Sequence, residues 1–168
     1  MALNAFLTLT GQKQGPIEGG VTQKGREKSI LVRGFEVQIT SPRDAASGLP
    51  TGKRQHQPIR IVKEIDKASP LLWNALVNNE NLTTCVVKFF APGLGAAGAA
   101  GLGEVQNFTV TLTNANIASM RETMNENEIA ANASLPLMEE VTLTYQKIQW
   151  TWNEGGITAM DDWQAPVV

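Results

Sequence analysis

The stretch that most constrains this chain covers residues 54–75, RQHQPIRIVKEIDKASPLLWNA, where a strand, an acidic turn and a helix start follow one another. Over residues 58–65, Ile59, Ile61 and Ile65 alternate with Arg60 and Glu64, and Val62 breaks the pattern. A period of two with a β-branched majority predicts a strand. Asp66 and Ser69 are two candidate N-caps, and Pro70 stands where a first helical turn needs no N–H. Leu71, Leu72, Ala75 and Leu76 follow at helical spacing. Asn78, Asn79 and Asn81 then end the helix, because short amide side chains favour turns over helix interiors. No other segment has so clear a helix start.

The rest of the chain reads as strand and loop. Residues 5–10 (AFLTLT) alternate imperfectly and predict a first strand. Residues 11–25 are glycine-rich loop, with a short paired segment expected at 20–23. Residues 28–39 predict a strand with a bulge or close approach at Gly34. Residues 41–57 (SPRDAASGLPTGKRQHQ) have no periodicity, and a loop of that length inside a compact fold is usually functional or disordered. Strands are expected at 83–90 and 104–113, with 116–124 as hairpin partner of the latter. In residues 137–152, Val141, Leu143 and Tyr145 share one phase, while Ile148, Trp150 and Trp152 share the other. That switch requires a bulge near Gln146–Lys147 or a strand that passes from one sheet to another. Residues 153–168 read as an acidic, glycine-containing tail. The expected fold is mainly β, a barrel or sandwich of about seven or more strands with one short α-helix packed at its side. At 168 residues this is one domain, residues 1–168.

Charge and composition exclude several function classes. The net charge of −2 argues against nucleic acid as a partner. Residues 1–90 carry 12 basic and 7 acidic side chains, whereas residues 91–168 carry 2 and 9, a polarity that would suit head-to-tail association if it lay on opposite faces. No apolar run approaches bilayer length, so no membrane insertion is expected, and MALNAFLTLTGQ lacks the basic and apolar regions of a signal peptide. The single cysteine, Cys85, excludes an internal disulfide and reads as a small buried hydrophobe.

No motif assembles a catalytic, cofactor or metal site. Gly93, Gly95 and Gly98 spell G-x-G-x-x-G, but without a βαβ unit they predict only a glycine-rich loop. His56 is the only histidine, which leaves it hydrogen-bonding or interface duty rather than zinc binding or nucleophile activation. The acidic pairs Glu139–Glu140 and Asp161–Asp162 could hold a cation or act as acid and base, but Glu139 and Glu140, as neighbours in a strand, face opposite ways and cannot easily converge, so solvation is the expectation. Arg43, Lys53, Arg54, Arg60 and Lys63 form a basic group without the aromatic platforms of a single-strand binder. Trp73, Trp150, Trp152 and Trp163 suit core or subunit contact.

With these residues in view, TGKRQHQPIRIVKEIDKASPLLWNAL over residues 51–76 resembles the signature segment of the Hcp proteins, the tube subunits of bacterial type VI secretion systems. In that family a long loop leads into a strand, and a K-x-D-x-(A/S)-S-P-x-L passage opens the single helix. Lys63 or Lys67, Asp66, Ala68, Ser69, Pro70 and Leu72 stand there in this chain. AFLTLTG near the start and VTLTYQKIQWTW near the end are similar too, whereas residues 15–30, the Gly/Ala loop 91–103 and residues 120–134 depart from commoner members. The resemblance implies a β-barrel that forms homo-hexameric rings, stacked into a tube inside a contractile sheath. Such a tube carries a spike and lumenal effector cargo, and is cytoplasmic before firing and secreted afterwards. It also implies that the 41–57 loop reaches a neighbouring subunit or ring, with Arg43, Asp44, Leu49, Lys53, Arg54 and His56 as its contact residues. A phage tail-tube protein of the same architecture is the alternative, and a β-barrel binding module is the third reading.

Overall fold

The structure, a computed structural model, describes residues 4–93 and 103–165. In chain order these form β1 (Asn4–Gly11), β2 (Gly15–Ile17), β3 (Ile30–Glu36), β4 (Ile39–Thr40), β5 (Gln55–His56), β6 (Ile59–Glu64), α1 (Ser69–Val77), β7 (Leu82–Pro92), β8 (Glu104–Thr113), β9 (Asn116–Thr123), β10 (Met138–Thr144), β11 (Lys147–Trp152) and β12 (Ile157–Asp162), with two 3-10 turns. Ten strands make one antiparallel sheet in the order β12-β11-β8-β7-β1-β3-β6-β10-β9, with β2 on β1, and β4 and β5 pair only with each other. The sheet curls round one core to which β1, β3, β6, β7, β8, β9, β10, β11 and α1 all contribute. The mainly-β barrel therefore forms, with a single side-packed α-helix among the described residues.

Alternation builds that core. Ala5, Leu7 and Leu9 on β1 point inwards beside Val87 and Cys85 on β7, and Ile59 and Ile61 on β6 lie opposite Leu143 and Val141 on β10. Phe6, on the other face of β1, is buried too. The Arg26 guanidinium is folded over it, 4.8 Å from its ring centroid and 3.6 Å from that of Phe90 on β7. That cover is why β1 alternates imperfectly. The bulge expected at Gly34 is a register shift between Val32 and Gly34 against β6, where a Cβ would come within 3.2 Å of Val62.

Three expectations are refined or corrected. The short strand is Gly15–Ile17, while within 20–23 Val21 exchanges backbone bonds with Lys28 and Ser29 without forming a strand. β9 pairs not with β8 but with β10, and β8 lies between β7 and β11. The acidic tail contains β12, which runs the length of β11 from Lys147↔Asp162 to Trp152↔Ile157. The phase switch falls where expected: the strand pattern breaks at Tyr145–Gln146, β10 facing β6 and β9, β11 facing β8 and β12. Of the G-x-G-x-x-G positions, Gly95 and Gly98 lie outside the described residues, as does the PVV terminus; Gly93 donates its N–H to the Gly103 carbonyl and extends the β7–β8 ladder.

The helix starts and stops by different chemistry. Ala68 occupies the N-cap position without a side-chain cap, and Pro70 sits in the first turn. Ser69 does not cap α1; its Oγ accepts from the Asp66 N–H and turns into a buried ionic cluster. Asp66 does serve the entry, its Oδ1 accepting from the Ala68 N–H at 3.0 Å. At the far end Asn79 takes a left-handed φ of 48°. The Asn79 N–H donates to Leu76 O and the Glu80 N–H to Ala75 O, the paired reverse bonds of a Schellman stop with asparagine in glycine's usual place. Glu80 is then buried, and its Oε1 accepts the N–H groups of Lys13 and Gln14 at 2.6 and 2.9 Å.

Candidate functional site

Two polar clusters stand out within the sheet, and one of them holds the root of an exposed arm. The first is internal. Lys63, fully buried, sends Nζ to Glu139 Oε2 at 2.8 Å, Ser69 Oγ at 2.9 Å and Asp66 Oδ1 at 3.0 Å. Glu139 is equally buried, and its second oxygen has no hydrogen-bond partner. The expectation of a solvated Glu139 is thus overturned, and Lys63 leaves the supposed basic surface group. The reason is phase: Lys63 follows Ile59 and Ile61 on the core face of β6, directly opposite Glu139. Glu140, on the other face, is engaged by Arg60 at 2.6 Å, whose hydrogen bond holds its carboxyl below the usual range.

The second cluster lies at the base of residues 41–54. His56 on β5 is buried, stacked on Trp163 with ring centroids 5.2 Å apart and 18° between the planes. Its Nε2 lies 2.8 Å from Asp161 Oδ2 and its Nδ1 2.8 Å from the Tyr145 hydroxyl. A carboxylate only accepts, so the proton sits on Nε2, and in the neutral ring Nδ1 accepts from Tyr145. Arg54 Nε donates to the same Asp161 oxygen, and its Nη2 to the Asp162 carbonyl at 2.8 Å. Burial pushes Asp161 up, but the Arg54 and His56 hydrogen bonds and the Arg54 charge outweigh it and leave the carboxyl below its ordinary value. Burial and the Asp161 charge push Tyr145 up to about 12. Asp161 is therefore paired, not solvated as expected.

The structure splits the six predicted contact residues into two groups. Arg54 and His56 turn into the protein. Arg43, Asp44, Leu49 and Lys53 lie along the protruding segment, and Leu49 is 64% exposed. That segment is a long hairpin rather than a shapeless loop: β4 and β5 form its base, Arg43 bridges Pro50, and Asp44 Oδ1 accepts the N–H groups of Ala46 and Ser47 to close the tip. The Ser47 hydroxyl, which donates to the same oxygen at 2.8 Å, and then these N–H groups hold Asp44 below its usual range. The β4–β5 ladder escaped sequence reading because two-residue strands leave no periodic signal.

Elsewhere the surface offers little to a small molecule. One surface depression is lined by Asn4, Phe6, Leu31, Glu64 and Asp66 among others, and its two carboxylates are already engaged by Arg33 and Lys63. Among the described residues no three His, Cys, Asp or Glu side chains lie close enough to hold a metal ion, and no helix is long and apolar enough to cross a membrane. The charge polarity between the two halves is partly cancelled inside the fold, since Arg26–Glu104, Arg54–Asp161, Arg60–Glu140 and Lys63–Glu139 each join one half to the other. Trp150 and Trp163 pack on the core, Trp73 donates to Glu122 at 2.6 Å, and Trp152 is exposed.

Comparison with known proteins places this arrangement. The family described as "Type VI secretion system effector, Hcp" matches residues 6–152. A Pseudomonas aeruginosa protein named "Major exported protein" is 38% identical over 176 aligned positions, covering 99% of each chain. A crystal structure of an Hcp protein superposes with a TM-score of 0.86 at 29% identity, covering 98% of this chain and all of the other. Hcp1 from Escherichia coli gives 0.80 at 31% identity over 96% and 99% of the two chains, and Hcp3, a secreted protein from Pseudomonas aeruginosa, 0.75 at 30% over 98% and 100%. The family match takes in the Lys63–Glu139 cluster, the arm and the helix, and the full-length alignment with the P. aeruginosa protein extends over Asp161 and Trp163 as well; this chain belongs to the Hcp family of type VI secretion proteins.

Proposed function

We propose that this chain, as one Hcp-like barrel, closes with five copies of itself into a ring, and that rings stack into the inner tube of a type VI secretion system. The tube runs inside a contractile sheath, carries a spike at its tip and effectors in its lumen, and leaves the cytoplasm on firing. It acts by assembly rather than by catalysis, and the P. aeruginosa relative's name, "Major exported protein", fits that route. The observation that carries the reading is the arm: a hairpin standing off the barrel on a buried root, with Leu49 exposed near its tip between the charges of Arg43, Asp44 and Lys53. An apolar side chain so presented is suited to a neighbouring copy.

The test is solution mass followed by negative-stain images of the same fraction. Six copies of 18.2 kDa make about 109 kDa, and a particle of that mass with a central hole is expected. Deleting residues 45–53 keeps Arg54 and His56 in place and is expected to give a folded monomer. A clean monomer of the intact chain at high concentration, or a deletion that unfolds the barrel, would count against the reading.

A further inference from the structure

The arm has no backbone pairing with the ten-stranded sheet. β4 and β5 bond only to each other, through Ile39↔His56 and Thr40↔Gln55, and a two-stranded ladder that short has no stability of its own. Its direction relative to the barrel must come from side chains. Val37 and Ile39 pack against the core, but apolar contact sets no angle. The directional bonds converge on β12. One oxygen of Asp161 takes both Arg54 Nε and His56 Nε2, Arg54 reaches on to the Asp162 carbonyl, and Trp163 closes over the imidazole. The strand that supplies this acceptor is the last of the sheet, joined to it only through β11. Its Ile157 and Met160 are exposed, so it buries little apolar surface of its own.

We infer that Asp161 is the positioning residue of the arm, the acceptor through which Arg54 and His56 hold the hairpin at the angle at which it meets a second copy of this chain. This rests on the reading that the arm mates copies. The physical reason is preorganisation. A hairpin free to swing must be ordered at each docking event, and that cost recurs at every interface of a closed ring.

The experiment uses the full chain as wild type, Asp161→Asn and Arg54→Gln. Asp161→Asn removes the charge with almost no change of shape, and Arg54→Gln spares every core contact. Two quantities are read: amide exchange along residues 41–57, and the protein concentration at which assemblies half-dissociate. Both variants are expected to exchange faster in the arm only, with β1, β7 and β10 unchanged, and to need roughly tenfold more protein to assemble. Arm exchange equal to wild type in both variants overturns the inference, as does unaltered assembly with a freed arm. If wild type itself never assembles while the variants free the arm, the ring reading fails and the positioning role of Asp161 in the folded chain stands.

Discussion

The buried Lys63–Glu139 pair makes the sharpest prediction about stability. Removing one member of a buried ion pair strands the other and costs about 3–5 kcal/mol. Glu139→Gln keeps the shape and leaves Asp66 3.0 Å from the Lys63 ammonium, so the loss belongs at the low end, about 3 kcal/mol. In a chain of 168 residues that lowers Tm by about 6–12 °C. Replacing both partners, Lys63→Met with Glu139→Leu, removes the charges together with their desolvation and is expected to return stability to within about 1 kcal/mol of wild type. Urea unfolding followed by tryptophan fluorescence measures both, at a protein concentration low enough that association adds nothing to stability. A single substitution costing under about 1 kcal/mol would mean that Asp66 alone satisfies the lysine. A double variant as unstable as the single would show that the cluster, not the stranded charge, holds β6 to β10 and α1; either result refutes the argument.

Other expectations are simpler to check. A Cβ on Gly19 would lie 2.3 Å from the Ser29 carbonyl oxygen and 2.7 Å from Ile30 Cα, both backbone, so Gly19→Ala should cost about 2 kcal/mol or more, while Gly52→Ala, which meets nothing, should cost almost nothing; equal urea midpoints for the two would contradict this. Glu104, Glu140 and Asp161 all lie below ordinary carboxylate values when folded, held there for the first two chiefly by Arg26 and Arg60. Groups depressed in this way contribute stability that is complete above about pH 5 and lost as pH falls through their folded values, so urea midpoints should be level from pH 7 to about 5 and fall at lower pH. A midpoint that rose on acidification would oppose that sign. Burial pushes the Cys85 thiol up to about 12, so a thiol reagent at pH 8 should label it only after unfolding, and rapid labelling of the native protein would deny its burial.

What the sequence made legible was local. The run from Ile59 to Ala75 announced strand, turn and helix because each obeys a period or a cap rule within a few residues. The phase switch near Gln146 was legible because the side-chain period of a strand allows it only through a bulge or a passage between sheets. Three things were hidden for separate reasons. β12 has both faces wet, so its pairing is carried by backbone bonds that leave no apolar pattern. The exchange of β9 from β8 to β10 is a choice between distant partners that adjacency in sequence does not decide. Lys63 and Glu139 were hidden because charge predicts exposure, although both share the phase of their buried neighbours Ile61 and Val141. For the arm, the length of an aperiodic segment pointed to function, while the inward turn of Arg54 and His56 depended on Asp161, 105 positions beyond the histidine.

The uninterrupted passage from β10 to β11 has a kinetic consequence. Because one short stretch of chain is bonded to β6 and β9 before the break and to β8 and β12 after it, opening of either part of the sheet pulls on the other. The slowest-exchanging amides should therefore include Val141 and Ile148 alike, in one class set by global unfolding. The contacts that close this unit join residues as far apart as Lys63 and Glu139, 76 positions, so the rate-limiting search is for remote partners rather than for local turns. Folding on the millisecond-to-second scale follows, with a barrel that matures all at once and an arm that gains its bearing only when β12 has docked.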